Sequence, residues 1–256
     1  MASRKPIIFF SPGGYHSPWV FDNVSAALKE RGFEATATSL VSVGAPDANI
    51  GLQDDVDHVR PQLVKLIDEG KEIILVGHSY GGLVVTNVAE GLGVKQRAAQ
   101  GKTGGILMII YMAALVLPAG TNISANYSPE AGWDKADGKF KNFINPPEPY
   151  TSFYHDVEPS LAKKAVDSLQ PVPERLLLDL STYEPWNEGF NVGYIFTEED
   201  KILPLSKQKE MASVLPEGSF TASLPSSHSP FLSMTDALAD IIRDAAEHVL
   251  KKESSV

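Results

Sequence analysis

The sequence predicts one α/β domain, residues 1–256, built on a mostly parallel, doubly wound sheet with a small, mainly helical cap inserted over residues 118–191. Three observations carry that prediction. Short apolar runs bounded by Gly and Pro alternate with longer amphipathic stretches, the rhythm of strand-helix-strand units. Several of those runs are apolar at consecutive positions, as strands covered on both faces are. The rhythm breaks between about Pro118 and Asn191, a segment too long to lie structureless in a compact domain. At 256 residues and 43% hydrophobic content, one core can organise the chain.

The elements follow in chain order. Ile7 to Phe10 is the first strand, and it runs directly into Ser11-Pro12-Gly13-Gly14, so the apolar run behind Arg4 and Lys5 is too short for a signal-peptide core. A helix is expected over Trp19 to Glu30, a strand over Glu34 to Ser39, and a second helix over Gln53 to Glu69. The strand Ile73 to Val76 precedes a helix over Gly82 to Glu90. The strand Gly105 to Ala113 lies in the longest apolar stretch, Ile106 to Leu117, well below the roughly 20 residues that span a bilayer. Within the break, aromatic and proline residues crowd together and two helices are expected, Ser160 to Leu169 and Pro173 to Leu180; an irregular pair of crossover helices is the alternative to a cap. Gly193 to Phe196 and Phe220 to Leu224 supply the last strands, and Ala237 to Lys251 a closing helix.

Composition removes several function classes. A net charge of -10 opposes both nucleic-acid phosphates and anionic membrane surfaces. The absence of cysteine removes disulfides, zinc-thiolate sites and thiol nucleophiles, and fits a reducing, cytoplasmic compartment. The histidines and carboxylates lack ligand spacing and no phosphate loop is present, so neither a metal nor another cofactor is expected.

Gly77-His78-Ser79-Tyr80-Gly81 matches G-x-S-x-G. The bare pattern is weak, but here a strand pattern ends at Gly77 and a helix opens after Gly81, the setting in which a sharp turn exposes a serine hydroxyl. An ordinary Gly-rich turn is the bland alternative. Serine needs a base within reach and a carboxylate to fix that base's tautomer. Of six histidines, His228 follows the last expected strand, at the carboxyl end of the sheet where open α/β folds place their sites. Asp200 follows the strand Gly193 to Phe196; the adjacent Glu198 and Glu199 read as a solvated charge run. The order Ser79, Asp200, His228 is the order in which α/β-hydrolases carry a triad. Two backbone amides are candidates for an oxyanion hole, those of Tyr80 and Gly14.

These residues resemble the branch of the α/β-hydrolases that holds the plant methyl esterases, the hydroxynitrile lyases and many microbial relatives. Pro12 to Trp19 resembles that branch's His-Gly-Ala-x-His-Gly-x-Trp loop, with Pro12 replacing the usual histidine. Gly77 to Gly81 resembles its elbow, Phe196 to Pro204 its acid loop, His228 to Ser233 its histidine loop, and Phe153 to Val157 part of its cap. The resemblance implies an α/β-hydrolase fold and a serine hydrolase cleaving a small, mostly hydrophobic carboxylic ester or lactone through an acyl-enzyme. The lyase members carry threonine, lysine and glutamate where this chain has Gly13, Ser229 and His78, which favours an esterase. A carbon-carbon bond hydrolase or lyase of the same fold is the alternative, and a non-catalytic ligand-binding role a further one. The expected substrate-binding residues are Gly13, His16, Trp133, Phe140, Phe143, Tyr154 and Trp186. A small-molecule ester or lactone is the expected partner, with a homodimer left open and neither nucleic acid nor membrane expected.

Overall fold

The computed structural model describes residues 5–126, 139–141 and 148–254, with the backbone alone at 140, 141 and 148. Its strands are β1 (Ile7–Ser11), β2 (Ala35–Ala37), β3 (Glu72–His78), β4 (Gly105–Met112), β5 (Phe140–Lys141), β6 (Val172–Pro173), β7 (Asn191–Thr197) and β8 (Phe220–Leu224). Six of them form one sheet in the order β2-β1-β3-β4-β7-β8, each pair parallel, while β5 and β6 make a separate antiparallel ribbon. All six expected strands are present. Central β3 and β4 are buried almost throughout, which is why they read as unbroken apolar runs. Edge strand β2 is shorter than expected and half-exposed.

The helices are α1 (Asp22–Glu30), α2 (Leu52–Asp68), α3 (Gly81–Val88), α4 (Val94–Ala98), α5 (Ile123–Asn126), α6 (Glu148–Phe153), α7 (Pro159–Asp167), α8 (Arg175–Leu178), α9 (Leu205–Ala212), α10 (Pro230–Ser233) and α11 (Thr235–Ser254). The helices pack in pairs, α1 on α11 and α2 on α3. The helix expected from Trp19 begins instead as a 3-10 turn, Pro18–Phe21, before α1. Buried Leu28 of α1, Leu63 of α2 and Ile242 of α11 pack in the core. Each such side chain contributes roughly 1.5–3 kcal/mol relative to exposure.

Strand order reverses about β1, whose neighbours β2 and β3 lie on opposite sides, so the loops leaving β1 and β3 part and open a crevice at the carboxyl end of the sheet. The segment between β4 and β7 lies against that end. Its residue Gln170 donates its backbone N–H to the Tyr15 carbonyl at 3.0 Å, and Gly44 donates to its Pro171 carbonyl at 2.8 Å. The helix expected over Pro173 to Leu180 is only α8. Pro173 is consumed by the ribbon, and Asp179 turns extended at ψ 136°, its carboxylate accepting from the Leu52 N–H at 2.8 Å to cap α2.

Candidate active site

Ser79 stands between β3 and α3 with φ at +52°, a left-handed conformation that a residue with a Cβ adopts only under constraint. The constraint is visible. Its N–H donates to the Met112 carbonyl at 3.2 Å, while its own carbonyl accepts from Gly82 at 3.0 Å and Leu115 at 3.1 Å. The turn is possible because strand and helix come unusually close. A Cβ on Gly77 would lie 2.6 Å from the Gly81 carbonyl oxygen, and one on Gly81 would lie 2.4 Å from the carbonyl oxygens of Ser11 and Pro12.

His228 and Asp200 come together from the ends of β8 and β7. His228 Nδ1–H donates to Asp200 Oδ2 at 2.6 Å, and both side chains are buried. Asp200 is held by four further donors: the backbone N–H groups of Ile202 and Leu203 to Oδ1 at 2.8 and 2.9 Å, and Thr197 Oγ1 and Gln208 Nε2 to Oδ2 at 2.9 and 3.4 Å. This arrangement keeps the carboxylate acceptor-only, places the imidazole proton on Nδ1 and leaves the Nε2 lone pair available as a base. Nε2 bonds to no described residue, so Ser79 and His228 are not hydrogen-bonded to each other in this state. Catalytic hydrogen bonds of this kind commonly tighten only with substrate in place.

Gly14 and Tyr80 border Ser79 in a cavity of about 60 Å³. Among the described residues their backbone N–H groups donate to no carbonyl. Tyr80 is fixed by its phenol, which donates to Asp55 Oδ2 at 2.8 Å; the same fully buried carboxylate accepts the Ser42 N–H at 3.0 Å and the Ser42 hydroxyl at 2.6 Å. Burial raises the Asp55 carboxyl above its usual range, against those hydrogen bonds. The cavity walls are apolar: Leu115 after β4, Ile202 and Leu203 beside Asp200, and Phe153, Val172 and Leu176 from the segment between β4 and β7.

The residues expected to touch substrate are placed differently. Gly13 sits behind the nucleophile, where a Cβ would lie 2.9 Å from that of Ser79. His16 and Tyr154 are buried and bonded to each other, outside the cavity lining. Trp186 packs edge-on against Tyr111, with ring centroids 6.5 Å apart, and does not line the cavity either. Trp133, Phe143 and the Phe140 side chain lie outside the described residues. The lining residues Val172, Leu176 and Leu203 were not anticipated: Val172 lies in a two-residue strand, Leu176 in a one-turn helix and Leu203 in the loop after Asp200, and only the apolar pair Ile202-Leu203 beside Asp200 signalled a wall.

His78 closes the rear of the site. Its Nε2–H donates to the His228 carbonyl at 2.9 Å, with the two rings 4.6 Å apart. Desolvation, then the neighbouring His228 and His16, hold its pKa well below the ordinary histidine value. Among the described residues no three histidine, cysteine or acidic side chains are grouped to hold a metal ion, and no helix is long and apolar enough to cross a membrane.

Comparison with known proteins gives the family. The alpha/beta hydrolase nvfD of Aspergillus novofumigatus is 26% identical over 252 residues, 96% of this chain and 99% of its own. A putative chloroplastic methylesterase 11 of Arabidopsis thaliana is 26% identical over 257 residues, covering 91% of this chain but 62% of the longer relative. The crystal structure of the methylesterase MES16 from Arabidopsis superposes with a TM-score of 0.75 at 25% identity, over 95% of this chain and 99% of that one. The family described as "Alpha/beta hydrolase family" matches residues 8–241, and the chain belongs to it.

Proposed function

We propose that the protein is a serine-dependent carboxylic ester hydrolase acting on a small, mostly hydrophobic ester or lactone, with the segment 118–191 as the cap that walls its pocket. One observation carries the reading: a serine held at φ +52° at the floor of an apolar cavity, in a fold that also brings a buried His228–Asp200 pair to the same end of the sheet. In this reading Ser79 Oγ attacks the ester carbonyl as His228 Nε2 takes its proton. The developing oxyanion is received by the N–H groups of Gly14 and Tyr80, each such donor contributing about 2.7–4 kcal/mol in the transition state. The tetrahedral intermediate expels the alcohol, which takes the proton back from His228, and water repeats the sequence on the acyl-enzyme.

No charged side chain lines the described cavity, which supports an uncharged substrate whose acyl or alcohol group is apolar. Relatives named as methylesterases support ester chemistry. Gly13 also supports hydrolysis over cyanohydrin cleavage, because it offers no hydroxyl beside Ser79. Turnover of methyl, aryl and lactone esters by wild type and Ser79→Ala tests the reading. Ser79→Ala should lose about 10⁶-fold in kcat. Retention of more than about a tenth of the activity would remove the acyl-enzyme mechanism.

A further inference from the structure

Gly13 and Gly14 form a loop that can rotate its peptide planes at little cost, yet the proposed oxyanion donor is the Gly14 N–H, whose direction must be fixed. Both carbonyls flanking Gly14 are held by one residue. The backbone N–H of His16 donates to the Gly13 carbonyl at 3.4 Å, and His16 Nδ1–H donates to the Gly14 carbonyl at 2.7 Å. The Gly13 carbonyl and the Gly14 N–H belong to one planar peptide and point in opposite directions, so fixing the first aims the second.

His16 is held in turn from the inserted segment. The Tyr154 hydroxyl donates to His16 Nε2 at 2.8 Å, and both side chains are only 2% exposed. A carbonyl can only accept, so Nδ1 carries the imidazole proton and Nε2 takes the phenol's. Phe153 and Phe231 pack edge-on against the ring, and desolvation lowers its pKa to about 4, so it stays neutral. Tyr154 belongs to a run that also touches the other two loops. The Ser227 hydroxyl donates to the Phe153 carbonyl at 2.8 Å, the Ser227 N–H donates to Asp156 Oδ2 at 2.9 Å, and His155 Nε2 donates to the Glu199 carbonyl at 3.0 Å.

We propose that His16 and Tyr154 are a positioning pair through which the segment between β4 and β7 aims the oxyanion loop, and that neither contacts substrate. The inference rests on the oxyanion role proposed for Gly14. It assigns to both residues a job other than lining a pocket: they act on the transition state through Gly14. The geometry also ties seating of the inserted segment to assembly of the site, because residues 153–156 bond to the loops that follow β1, β7 and β8.

The test reads Ser79 reactivity without needing the natural substrate. Wild type, Tyr154→Phe, His16→Ala and His16→Asn are reacted with a small uncharged alkyl fluorophosphonate, and phosphonylation is followed by intact mass; kcat and KM are measured on the best ester of the panel. Tyr154→Phe, which removes one oxygen, should label about 10- to 100-fold more slowly and lose kcat by a similar factor with KM within about twofold. His16→Ala should lose at least as much. His16→Asn should recover part of the rate, because its side-chain amide can donate where Nδ1–H does. Near-UV circular dichroism of each variant normalises the rates to folded protein, and the Asn-to-Ala comparison stands if Tyr154→Phe fails to fold. Labelling of Tyr154→Phe at the wild-type rate, or a KM rise that accounts for the whole loss, would overturn the inference while Ser79 chemistry stands. Failure of wild-type Ser79 to label would overturn the serine mechanism and the inference with it.

Discussion

At residue scale, Ser79 and Asp200 illustrate opposite ways of fixing a residue. Ser79 is fixed by backbone strain: its φ of +52° costs a non-glycine residue roughly 1–2 kcal/mol, which glycine would not pay. Ser79→Gly should therefore be inactive yet melt higher than Ser79→Ala, by about 1 kcal/mol in unfolding free energy after glycine's greater chain entropy is counted. Equal denaturant midpoints for the two variants would mean that the turn stores no strain. Asp200 is fixed by donors. Its Oδ1 takes two backbone N–H groups that cannot reverse, so the oxygen of an introduced amide must stay there. In Asp200→Asn the NH2 then faces His228 Nδ1, forces the other tautomer and protonates the nitrogen that should act as base. A loss of about 10⁴-fold in kcat with little change in KM is expected from steady-state kinetics, and a loss below tenfold would mean that Asp200 does not orient His228. Ser79, Asp200 and His228 could be singled out in the sequence because each lies in the loop that follows a strand, and the structure brings His228 and Asp200 into contact there. His16 and Tyr154 were read as substrate-binding residues and instead bond to each other outside the cavity lining, a contact the sequence could not announce because it spans 138 positions.

At the scale of elements, the sheet was read almost whole and the inserted segment only in part, for one reason. A strand buried on both faces must be apolar along its length, so β3 and β4 announce themselves. The segment between β4 and β7 is built from short pieces whose ends are decided by partners elsewhere: α8 stops where Asp179 leaves to cap α2, and Pro173 pairs in the two-residue ribbon. Periodicity cannot report such endings, which is why Trp186 was expected at the pocket and instead packs on Tyr111. The walls that the segment does supply are aliphatic as well as aromatic. Leu176, buried and lining the cavity, is the residue whose truncation should enlarge it with least disturbance of Ser79, Asp200 and His228. Leu176→Ala should raise kcat/KM for bulkier esters relative to methyl esters, a change worth about 1–3 kcal/mol between the two. An unchanged ranking across the ester panel would show that this wall does not select substrate.

At the scale of the whole molecule, buried histidines couple the site to acid stability. His16 and His78 are both buried, with their rings 5.7 Å apart, and desolvation is the first cause holding each neutral, lowering His16 to about 4 and His78 well below the ordinary value. In the unfolded chain a histidine takes up its proton near pH ~6.5. Between that pH and about 4 the unfolded chain holds a proton at His16 that the folded protein does not, so acid favours unfolding. The stability from excluding this proton is fully present above pH ~6.5 and is lost as pH falls towards the folded value, amounting to about 3 kcal/mol for His16 over the window. Asp55 works in the other direction: its carboxyl is raised by burial, so it takes up its proton in the folded protein before it does in the unfolded chain and offsets part of the histidine loss as pH falls. Urea unfolding at about pH 7 and pH 5 should show a net stability drop of about 2 kcal/mol, the His16 and His78 shares together exceeding what Asp55 returns. His16→Asn, which removes one titrating group, should shrink that drop by about 2 kcal/mol while lowering stability at pH 7. A drop of equal size in wild type and His16→Asn would mean that His16 is not held neutral by its burial between Gly14 and Tyr154.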